Sequence, residues 1–584
     1  MKLWVPIVGK PEPVDERLIR LANSIGIETE WLQLQQGGLP PALPIADASI
    51  AVNPSVWSRI AAPTAAADWL RASGAQLLVY AVHPQPYASE LIKSMSSGHI
   101  SGVTGMPDPS LGYTVASQSG EVCGPYAGVA FAPANSASDC VLTLSGRSAA
   151  RPLISAGGGP LFAELAADKS RMFFIASAEV TDLNAQAGDR WATEFFSGLI
   201  PYVMALRAIF GDSCWKPVAQ HAAIVVDDPL LRPRYGFLDF EQLLRMAREH
   251  NFHAVLAFIP YNFSRIADST VQIFRENRDH LSLCFHGNDH TAAEFASPAA
   301  SLLHTILQTA ERRIEKLTAS TGLICDRVMV FPQGRFSDEA MSALRDRNFD
   351  AAVNTVTRPY GTAVDLSIGE LTLPAIVRYG GFPLFLRRSS VNTQMPETAF
   401  CLFFGRPVFI VEHHDRFERP QPLLDAVHRI NSLAPGIKWS PLSTATAGAQ
   451  LSRTRPDGSL EIRAWARTAH VTHSAPGLQR CVVEWPLPEA DSTVIQVVRD
   501  GLDPVAFMAD STAVRVSLDL AAGETARLSV VHRNAVMPHV ARSLRYSARV
   551  FIRRRMSETR DNLLSRNPTI LNAAKSVQRR LRIK

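Results

Sequence analysis

The feature that most constrains this chain is a run of alternating strand and helix patterns from about residue 218 to residue 446. Short apolar stretches such as AAIVVDD, LSLCFHG and RVMVFP are followed by amphipathic stretches, for example FLDFEQLLRMAREH. Repeated strand-helix units over such a segment predict a barrel of parallel strands, in which functional side chains gather at the carboxyl ends of the strands. Polar residues at the ends of the apolar stretches are therefore the first candidates for a site.

Different patterns flank this barrel on both sides. Residues 1–215 also alternate apolar and helical stretches, which predicts an α/β domain with a largely parallel sheet and an unknown role. From 450 to 538 the helical period disappears, and short alternating stretches separated by turn residues predict a small β-sandwich. Residues 541–584 form a basic helical tail. The predicted fold class is therefore α/β, with a central barrel between the other two domains.

The positive charge of the chain is concentrated in that tail. The sequence of 584 residues has a formal net charge of +5, but residues 541–584 hold 13 Lys and Arg against two acids, so the remainder is acidic. A basic, partly amphipathic helix can lie on an anionic membrane surface, and the alternative is a helix that packs on the acidic body of the protein. With Tyr546 and Phe551 as the only aromatic residues of the tail, and no recognised module, we do not expect nucleic-acid binding.

Three sequence properties predict the cellular compartment. No uninterrupted apolar run reaches the roughly 18 residues of a membrane span. The first residues lack the basic start, the long apolar centre and the cleavage site of a secretory signal. The seven cysteines are scattered and form no CxxC pair, which suits a reducing environment. We therefore expect a cytoplasmic protein that the tail can hold at the inner face of the membrane.

Two of the strand ends carry residues typical of a metal site. The stretch IVVDD ends in Asp227 and Asp228, and the stretch LSLCFHGNDHT places His286 and His290 four residues apart. Both carboxylates can reach one pocket at a strand-to-loop bend, and two imidazoles at this spacing share a face if the segment turns helically. One carboxylate with two histidines is a common catalytic metal set. The alternatives are a solvated turn for the aspartates and a chance pair for the histidines.

Two further strand ends carry groups that suit acid–base chemistry. After RVMVF, the turn Pro332-Gln333-Gly334 offers backbone N–H groups that can stabilise an oxyanion. The stretch FIVEHHD ends in His413 and His414, and a histidine beside a carboxylate can act as a general acid near neutral pH. The alternatives are an ordinary strand-to-helix turn and polar residues at the start of a loop.

Taken in this order, the four motifs resemble those of the polysaccharide deacetylase (nodulation-factor deacetylase homology) family of carbohydrate esterases. VVDD is similar to the family's TFDD, His286-Gly-Asn-Asp-His290 to its H-S/T-x-x-H, and VEHHD to its L-x-H. The resemblance covers about residues 218–446. It implies a distorted (β/α)7 barrel and metal-dependent hydrolysis of an N- or O-acetyl group on a sugar or polysaccharide precursor.

The resemblance also implies roles for individual residues. Asp227 would be the general base, and the backbone N–H of Gln333 would help to hold the oxyanion. His414 or His413 would protonate the leaving group; the aspartate that follows favours His414, and strand alternation leaves the choice open. The ligands of a divalent metal, usually zinc, would be Asp228, His286 and His290.

The sequence departs from the family at two of these motifs, and it contains no clear DxxDW. The turn that reads Arg-Pro-Pro-Tyr-Gly in the family reads Val-Phe-Pro-Gln-Gly here, so the arginine that orients the base is absent, and Gly287 stands in place of Ser or Thr. Arg327, Arg335 or Arg378 could take over the role of that arginine. The alternative functions are a catalytically weak, deacetylase-like binding or scaffold protein of a polysaccharide assembly system, and a hydrolase of non-sugar amides.

Overall fold

The computed structural model describes every residue except 1, 40–47, 133–136, 168–169, 189–191, 364, 474, 536 and 565–584. The described residues form an α/β sheet domain, a closed parallel barrel and a β-sandwich, with a helix after the sandwich. The predicted fold class is therefore confirmed.

The N-terminal domain is built on a nine-stranded sheet. Its strands and those of a small side sheet are β1 (Lys2–Ile7), β2 (Glu28–Gln33), β3 (Ser49–Val52), β4 (Gln76–Val79), β5 (Ile100–Gly105), β6 (Tyr113–Val115), β7 (Ala130–Phe131), β8 (Cys140–Leu144), β9 (Arg151–Ala156), β10 (Gly159–Ala167) and β11 (Ser170–Ile175). Its helices are α1 (Pro13–Ser24), α2 (Pro54–Trp57), α3 (Pro63–Ala72), α4 (Pro86–Met95), α5 (Gly120–Cys123) and α6 (Phe196–Phe210). The main sheet has the order β2-β1-β3-β4-β11-β10-β9-β6-β7, and β5 pairs with β8.

The first half of this sheet is parallel, as predicted, and the second half is antiparallel. The neighbours from β2 to β11 run parallel, whereas those from β11 to β7 run antiparallel. β9 and β10 are joined by Gly157 and Gly158, whose φ angles of 56° and 87° suit a two-residue hairpin turn. A turn of that length leaves no room for the crossover helix that a parallel pair needs.

One helical stretch of the described chain has the length and composition of a membrane span. It runs from Ala192 to Ser213 and includes α6, and 78% of its 18-residue apolar window is buried inside the protein. Phe196 and Tyr202 are among its fully buried side chains. The stretch is therefore a core helix of the N-terminal domain.

The barrel follows a short strand, β12 (Lys216–Pro217). Its strands and an outer hairpin are β13 (His221–Asp227), β14 (Arg234–Tyr235), β15 (Leu238–Asp239), β16 (Ala254–Phe258), β17 (Leu281–His286), β18 (Cys325–Val330), β19 (Ala351–Asn354), β20 (Leu384–Ser389), β21 (Val408–Glu412) and β22 (Lys438–Trp439). Its helices are α7 (Phe240–Glu249), α8 (Asp268–Glu276), α9 (Ala300–Thr321), α10 (Asp338–Asp346), α11 (Ile368–Leu371), α12 (Met395–Phe403), α13 (Gln421–Leu433) and α14 (Leu442–Ala447).

Seven parallel strands close this barrel. β16 to β21 pair in chain order, and β13 pairs with both β16 and β21, while β22 lies outside on β13. Every residue of β13, β16 and β21 is buried, as expected of strands that are covered on both faces. Small inward residues such as Ala223 and Val225 fill the interior, and alternate residues such as Ile224 pack on the outer helices.

A β-sandwich follows the barrel. Its elements are β23 (Gln450–Thr454), β24 (Leu460–Ala464), β25 (Thr468–Thr472), β26 (Gln479–Trp485), α15 (Ala490–Thr493), β27 (Val494–Arg499), β28 (Asp503–Val505), β29 (Met508–Ala509), β30 (Val514–Leu520) and β31 (Thr525–His532). One sheet has the order β12-β23-β24-β26-β30-β29 and the other β25-β31-β27-β28. Trp485, Val497 and Leu528 belong to the core between them.

The last described element is a single helix with two unlike faces. It consists of α16 (Leu544–Thr559) and a π-helical turn, Arg560–Leu564. Val550 and Arg554, one turn apart, are buried against the barrel, whereas Phe551 and Met556 are exposed. Residues 565–584 of the predicted basic tail lie outside the described residues.

Candidate active site

Strand alternation places four polar side chains on the inner wall of the barrel at the carboxyl ends of its strands. In each case the polar residue lies an even number of places after an apolar residue of the same strand that belongs to the core inside the barrel. Because successive side chains of a strand point to opposite faces, these residues face the interior. They are Asp227 (two places after Val225), His286 (two after Cys284), Arg387 (two after Phe385) and His413 (four after Phe409).

Two further candidates, Asp228 and His290, come from loops and converge on His286. Asp228 and His290 have left-handed backbones, with φ of 79° and 54°, a conformation that residues other than glycine rarely adopt. Nε2 of His290 lies 3.0 Å, and Nε2 of His286 3.5 Å, from the same oxygen, Oδ1 of Asp228. The ligand atoms of all three residues lie within 4.8 Å of one another. The strained backbones thus accompany a compact group of three potential ligands.

This group has the donor chemistry and spacing of a divalent metal site. Two ligand atoms of a tetrahedral zinc site, each about 2.05 Å from the ion, lie roughly 3.3 Å apart, which is close to both measured distances. Oδ1 of Asp228 is buried and accepts no hydrogen bond of good geometry from the described residues, which suits a metal-ligand atom. Nδ1 of His286 lies 3.0 Å from the carbonyl oxygen of Val330, so Nδ1 carries the proton and Nε2 is available to a metal.

The loop that carries these histidines is held from within and from the neighbouring strand. The carboxylate of Glu294 accepts hydrogen bonds from the three successive N–H groups of residues 288–290, at 3.0–3.2 Å. Gly287 has φ of 64°, and a Cβ there would meet Cγ of Pro332 at 2.4 Å. The glycine that replaces the Ser or Thr of the resembled motif is therefore required by the close packing of the turn after β18.

Asp227, the predicted general base, is paired with an arginine that sequence reasoning missed. Nη1 and Nη2 of Arg387, in β20, donate hydrogen bonds of 2.6 and 2.7 Å to the two carboxylate oxygens. The two side chains are only 4% and 5% exposed. Burial raises the pKa of Asp227, but the charge of Arg387, with contributions from His286 and His413, outweighs burial and lowers the pKa below its usual value. The carboxylate is therefore held ionised and in one orientation.

The three arginines considered for this role lie elsewhere, so that prediction is wrong. They are Arg327 on Glu311, Arg378 on Glu370 and Arg335 on the ring of Tyr360. The pattern that selected the other candidates also contains Arg387, because the apolar stretch PLFLRRS ends in charged residues like the other strand ends. Its inward direction follows only once Phe385 is known to face the barrel interior.

The two adjacent histidines lie in different surroundings. His413 is exposed and continues the inner face of β21, and its charge is one of those that lower the pKa of Asp227. His414 is buried, with its ring 5.5 Å from that of Tyr235 and its Nε2 3.5 Å from Oδ1 of Asp561. Of the two candidates for the general acid, His413 therefore shares the wall of Asp227, and His414 faces the C-terminal segment.

The turn after β18 lies beside the histidine loop. Gln333 is exposed at its tip with φ of 58°, and Pro332 packs on Gly287. Nδ2 of Asn354, a buried residue at the end of β19, donates a hydrogen bond of 2.9 Å to the carbonyl oxygen of Gly334. The turn that carries the predicted oxyanion donor is thus fixed from two sides at the same end of the barrel.

The C-terminal helix crosses this end of the barrel. Near its start, the hydroxyl of Tyr546 donates a hydrogen bond of 2.9 Å to Asp289 in the histidine loop. Near its end, Asp561 accepts a hydrogen bond of 2.7 Å from the hydroxyl of Tyr235, in the β14–β15 hairpin that follows β13. Residues 544–564 therefore pack on the body of the protein, as one of the two alternatives for the tail predicted.

Among known proteins, this chain is similar to several solved structures. No family model matches the chain, and no curated protein matches it. The structure of Agd3, described as a novel carbohydrate deacetylase, is 9% identical and covers 91% of this chain and 98% of its own, with a TM-score of 0.47. A putative polysaccharide deacetylase from Mycobacterium smegmatis is 13% identical and covers 39% of this chain and 93% of its own, with a TM-score of 0.28. A family 4 carbohydrate esterase from Streptomyces lividans is 14% identical and covers 39% of this chain and 95% of its own, with a TM-score of 0.22.

Proposed function

We propose that this protein is a metal-dependent hydrolase that removes an N- or O-linked acetyl group from a sugar or polysaccharide precursor. The observation that carries the proposal is the convergence of Asp228, His286 and His290 beside a buried, arginine-bound carboxylate, Asp227. A metal-binding group next to an oriented base is the arrangement that hydrolysis of an acyl bond by an activated water requires.

Each group at the mouth of the barrel has a distinct role in this proposal. Asp228, His286 and His290 would hold a divalent cation, and two imidazoles with one carboxylate suit zinc. Such a cation would supply Lewis-acid polarisation of the acetyl carbonyl. Asp227 accepts a proton from the attacking water while Arg387 keeps its carboxylate in place. The N–H of Gln333 donates to the developing oxyanion. His413 donates a proton to the leaving nitrogen or oxygen.

Arg387 also bears on the choice between catalysis and mere binding. The absence of the motif arginine, together with the two large flanking domains, leaves a catalytically weak binding or scaffold protein as the alternative. Arg387 binds Asp227 through both of its terminal nitrogens, so the interaction that the base needs is available from a different strand. This pairing favours the enzyme over the scaffold.

We further propose that the protein works in the cytoplasm at an anionic membrane surface, where lipid-linked or nascent glycans are made. The outward face of α16 exposes Leu544, Phe551, Ile552 and Met556 beside exposed arginines. Apolar side chains interleaved with cations can insert at the headgroup level of an anionic leaflet. The metal chemistry above does not depend on this location.

The test of the enzymatic proposal combines metal content with acetate release. We expect the purified protein to bind about one zinc and to release acetate from N- or O-acetylated sugar oligomers. His286→Ala should lose the metal, and Asp227→Asn should keep it but lose activity by about 10²- to 10⁴-fold, the usual contribution of a general base. His428→Ala, an exposed histidine on α13, is the matched control for both measurements.

Two results would decide against the enzyme. Undiminished acetate release by Asp227→Asn would remove the general base from the proposal. Zinc binding without acetate release from any acetylated sugar, together with retained glycan binding, would support the binding-protein alternative instead.

A further inference from the structure

The inward face of α16 presents a buried arginine over the mouth of the barrel. Arg554 is only 5% exposed. It lies eight residues after Tyr546, which is hydrogen-bonded to Asp289, and seven before Asp561, whose Oδ1 is 3.5 Å from Nε2 of His414. At 1.5 Å per residue these separations are about 12 and 10 Å, so Arg554 lies near the middle of the span that α16 makes between the two anchors.

Arg554 has no partner among the described residues. Its guanidinium takes part in no hydrogen bond or ion pair there, and its Nε is fully buried without one. Other buried or half-buried arginines around this site are paired, Arg387 with Asp227 and Arg313 with Asp289. An arginine is seldom buried to this degree unless it is paired, and its planar donors match the oxygens of a phosphate or carboxylate.

A second unpaired cation stands next to it. Arg553 is partly buried and likewise has no hydrogen bond or ion pair with the described residues. Burial and the like charges of Arg554 and Arg549 lower the pKa of Arg553, while the carboxylates of Glu294 and Asp228 act in the opposite direction. The two cations are thus close together, and one of them is within electrostatic reach of a metal-ligand carboxylate.

We propose that Arg554, assisted by Arg553, forms an anion subsite that binds an acidic group of the substrate. The ligand class is an acetylated sugar that carries an oxyanion, either a phosphate or a carboxylate, and this inference rests on the deacetylase function proposed above. The helix supplies the cations and the barrel supplies the metal site and the base. An acidic sugar bound to Arg554 would therefore be held across the mouth with its acetyl group directed to the strand ends.

The experiment compares three substrates: an N-acetylated sugar 1-phosphate, an N-acetylated uronic acid and a neutral N-acetylated disaccharide. We expect the wild type to prefer one of the anionic substrates, and the preferred one identifies the phosphate or the carboxylate. Arg554→Gln should lower kcat/KM for that substrate by roughly 10- to 100-fold, the effect of losing a charge-assisted hydrogen bond, mainly through KM. Its activity on the neutral disaccharide should stay within about twofold. Arg545→Gln, an exposed arginine of the same helix, is the matched control.

An equal loss on the neutral and anionic substrates, or no preference of the wild type for an anionic substrate, would overturn the subsite. Arg554→Lys keeps the charge and the aliphatic stem but lacks the planar fork. A weaker preference of this variant for the anionic over the neutral substrate, with an unchanged thermal midpoint, would support the subsite even if Arg554→Gln destabilises the helix.

The failure of deacetylation is separable from the failure of the subsite. If no substrate releases acetate, binding of the sugar 1-phosphate and of the uronic acid is measured directly by calorimetry. A tenfold or greater weakening of either in Arg554→Gln supports the subsite, and equal affinities in wild type and variant overturn it.

Discussion

Replacing Arg387 with Met tests whether the buried ion pair holds the proposed base in place. The two side chains are 4% and 5% exposed and are joined by two hydrogen bonds. Two unit charges about 4 Å apart attract each other by about 4 kcal/mol at an effective dielectric constant of 20. Removing one partner of a buried pair costs about 3–5 kcal/mol, because it leaves the other charge buried alone. We expect Arg387→Met to destabilise the barrel by this amount and to abolish acetate release.

A double-mutant cycle separates the pair from general damage to the barrel. The double variant Asp227→Asn/Arg387→Met has no unpaired charge and should recover most of the lost stability. The measurement is hydrogen exchange of peptides that cover β13 and β20, since a chain of several domains does not unfold in one step. Arg455→Met, which removes an arginine from a pair in the sandwich, should leave both peptides unchanged.

Two outcomes of this cycle would refute the reasoning. The first is a loss of less than about 1 kcal/mol in Arg387→Met, the value typical of a surface ion pair. The second is strictly additive losses in the double variant, which would mean that the two side chains do not stabilise each other.

Three further predictions concern the histidine loop, the barrel wall and the helix. Gly287→Ala should destabilise the protein by more than about 1 kcal/mol and lower its zinc content, since it adds both backbone strain and a clash with Pro332. Gly322→Ala is the control for strain alone, because Gly322 has a similar φ but open space around it. Equal thermal midpoints of the two variants would contradict the clash. Burial lowers the pKa of His253 to about 4 from 6.5, so the unfolded state binds a proton at a higher pH than the folded state does. His253 should therefore lower the stability of the barrel by about 3 kcal/mol as the pH drops from 6.5 to 4. Hydrogen exchange of peptides that cover β16 should show a pH dependence smaller by this amount in His253→Asn, because the buried His221 and His532 still contribute; an identical pH profile would contradict the prediction. The protein should float with anionic liposomes. The double variant Phe551→Ser/Met556→Ser should float less, and a chain truncated at residue 540 should not float; unchanged flotation of the truncated chain would refute membrane binding through the tail.

The strand ends could be predicted from the sequence because parallel barrels impose a simple rule. Apolar strands that end in polar residues place those residues at one end of the barrel, and this rule selected Asp227, Asp228, His286 and His290. Their convergence depends on backbone angles that local patterns do not specify. Asp228 and His290 have left-handed backbones, and neither is a residue type that demands one.

The partners of these residues could not be predicted because they come from distant parts of the chain. Arg387 is 160 residues from Asp227, and Asp561 is 326 residues from Tyr235. Which of His413 and His414 faces Asp227 depends on the inward face of β21, and that face is set by packing in the barrel interior. The segment that crosses the mouth looked, in sequence, equally suited to a membrane and to the body of the protein.

The division of labour between the barrel and the helix follows from what each can hold rigidly. Left-handed backbones at Asp228, His290 and Gln333 cost about 1–3 kcal/mol each, and they persist where the surrounding contacts fix them, as Glu294 does for the histidine loop. Such positions suit metal ligands and oxyanion donors, whose geometry tolerates little motion. The C-terminal helix is held to the barrel by side chains such as Tyr546, Glu558 and Asp561, and these contacts need no strained backbone, which suits the proposed recognition of a charged group on the sugar. Changes in α16 should therefore alter which sugar is used, whereas changes at the strand ends should remove the reaction.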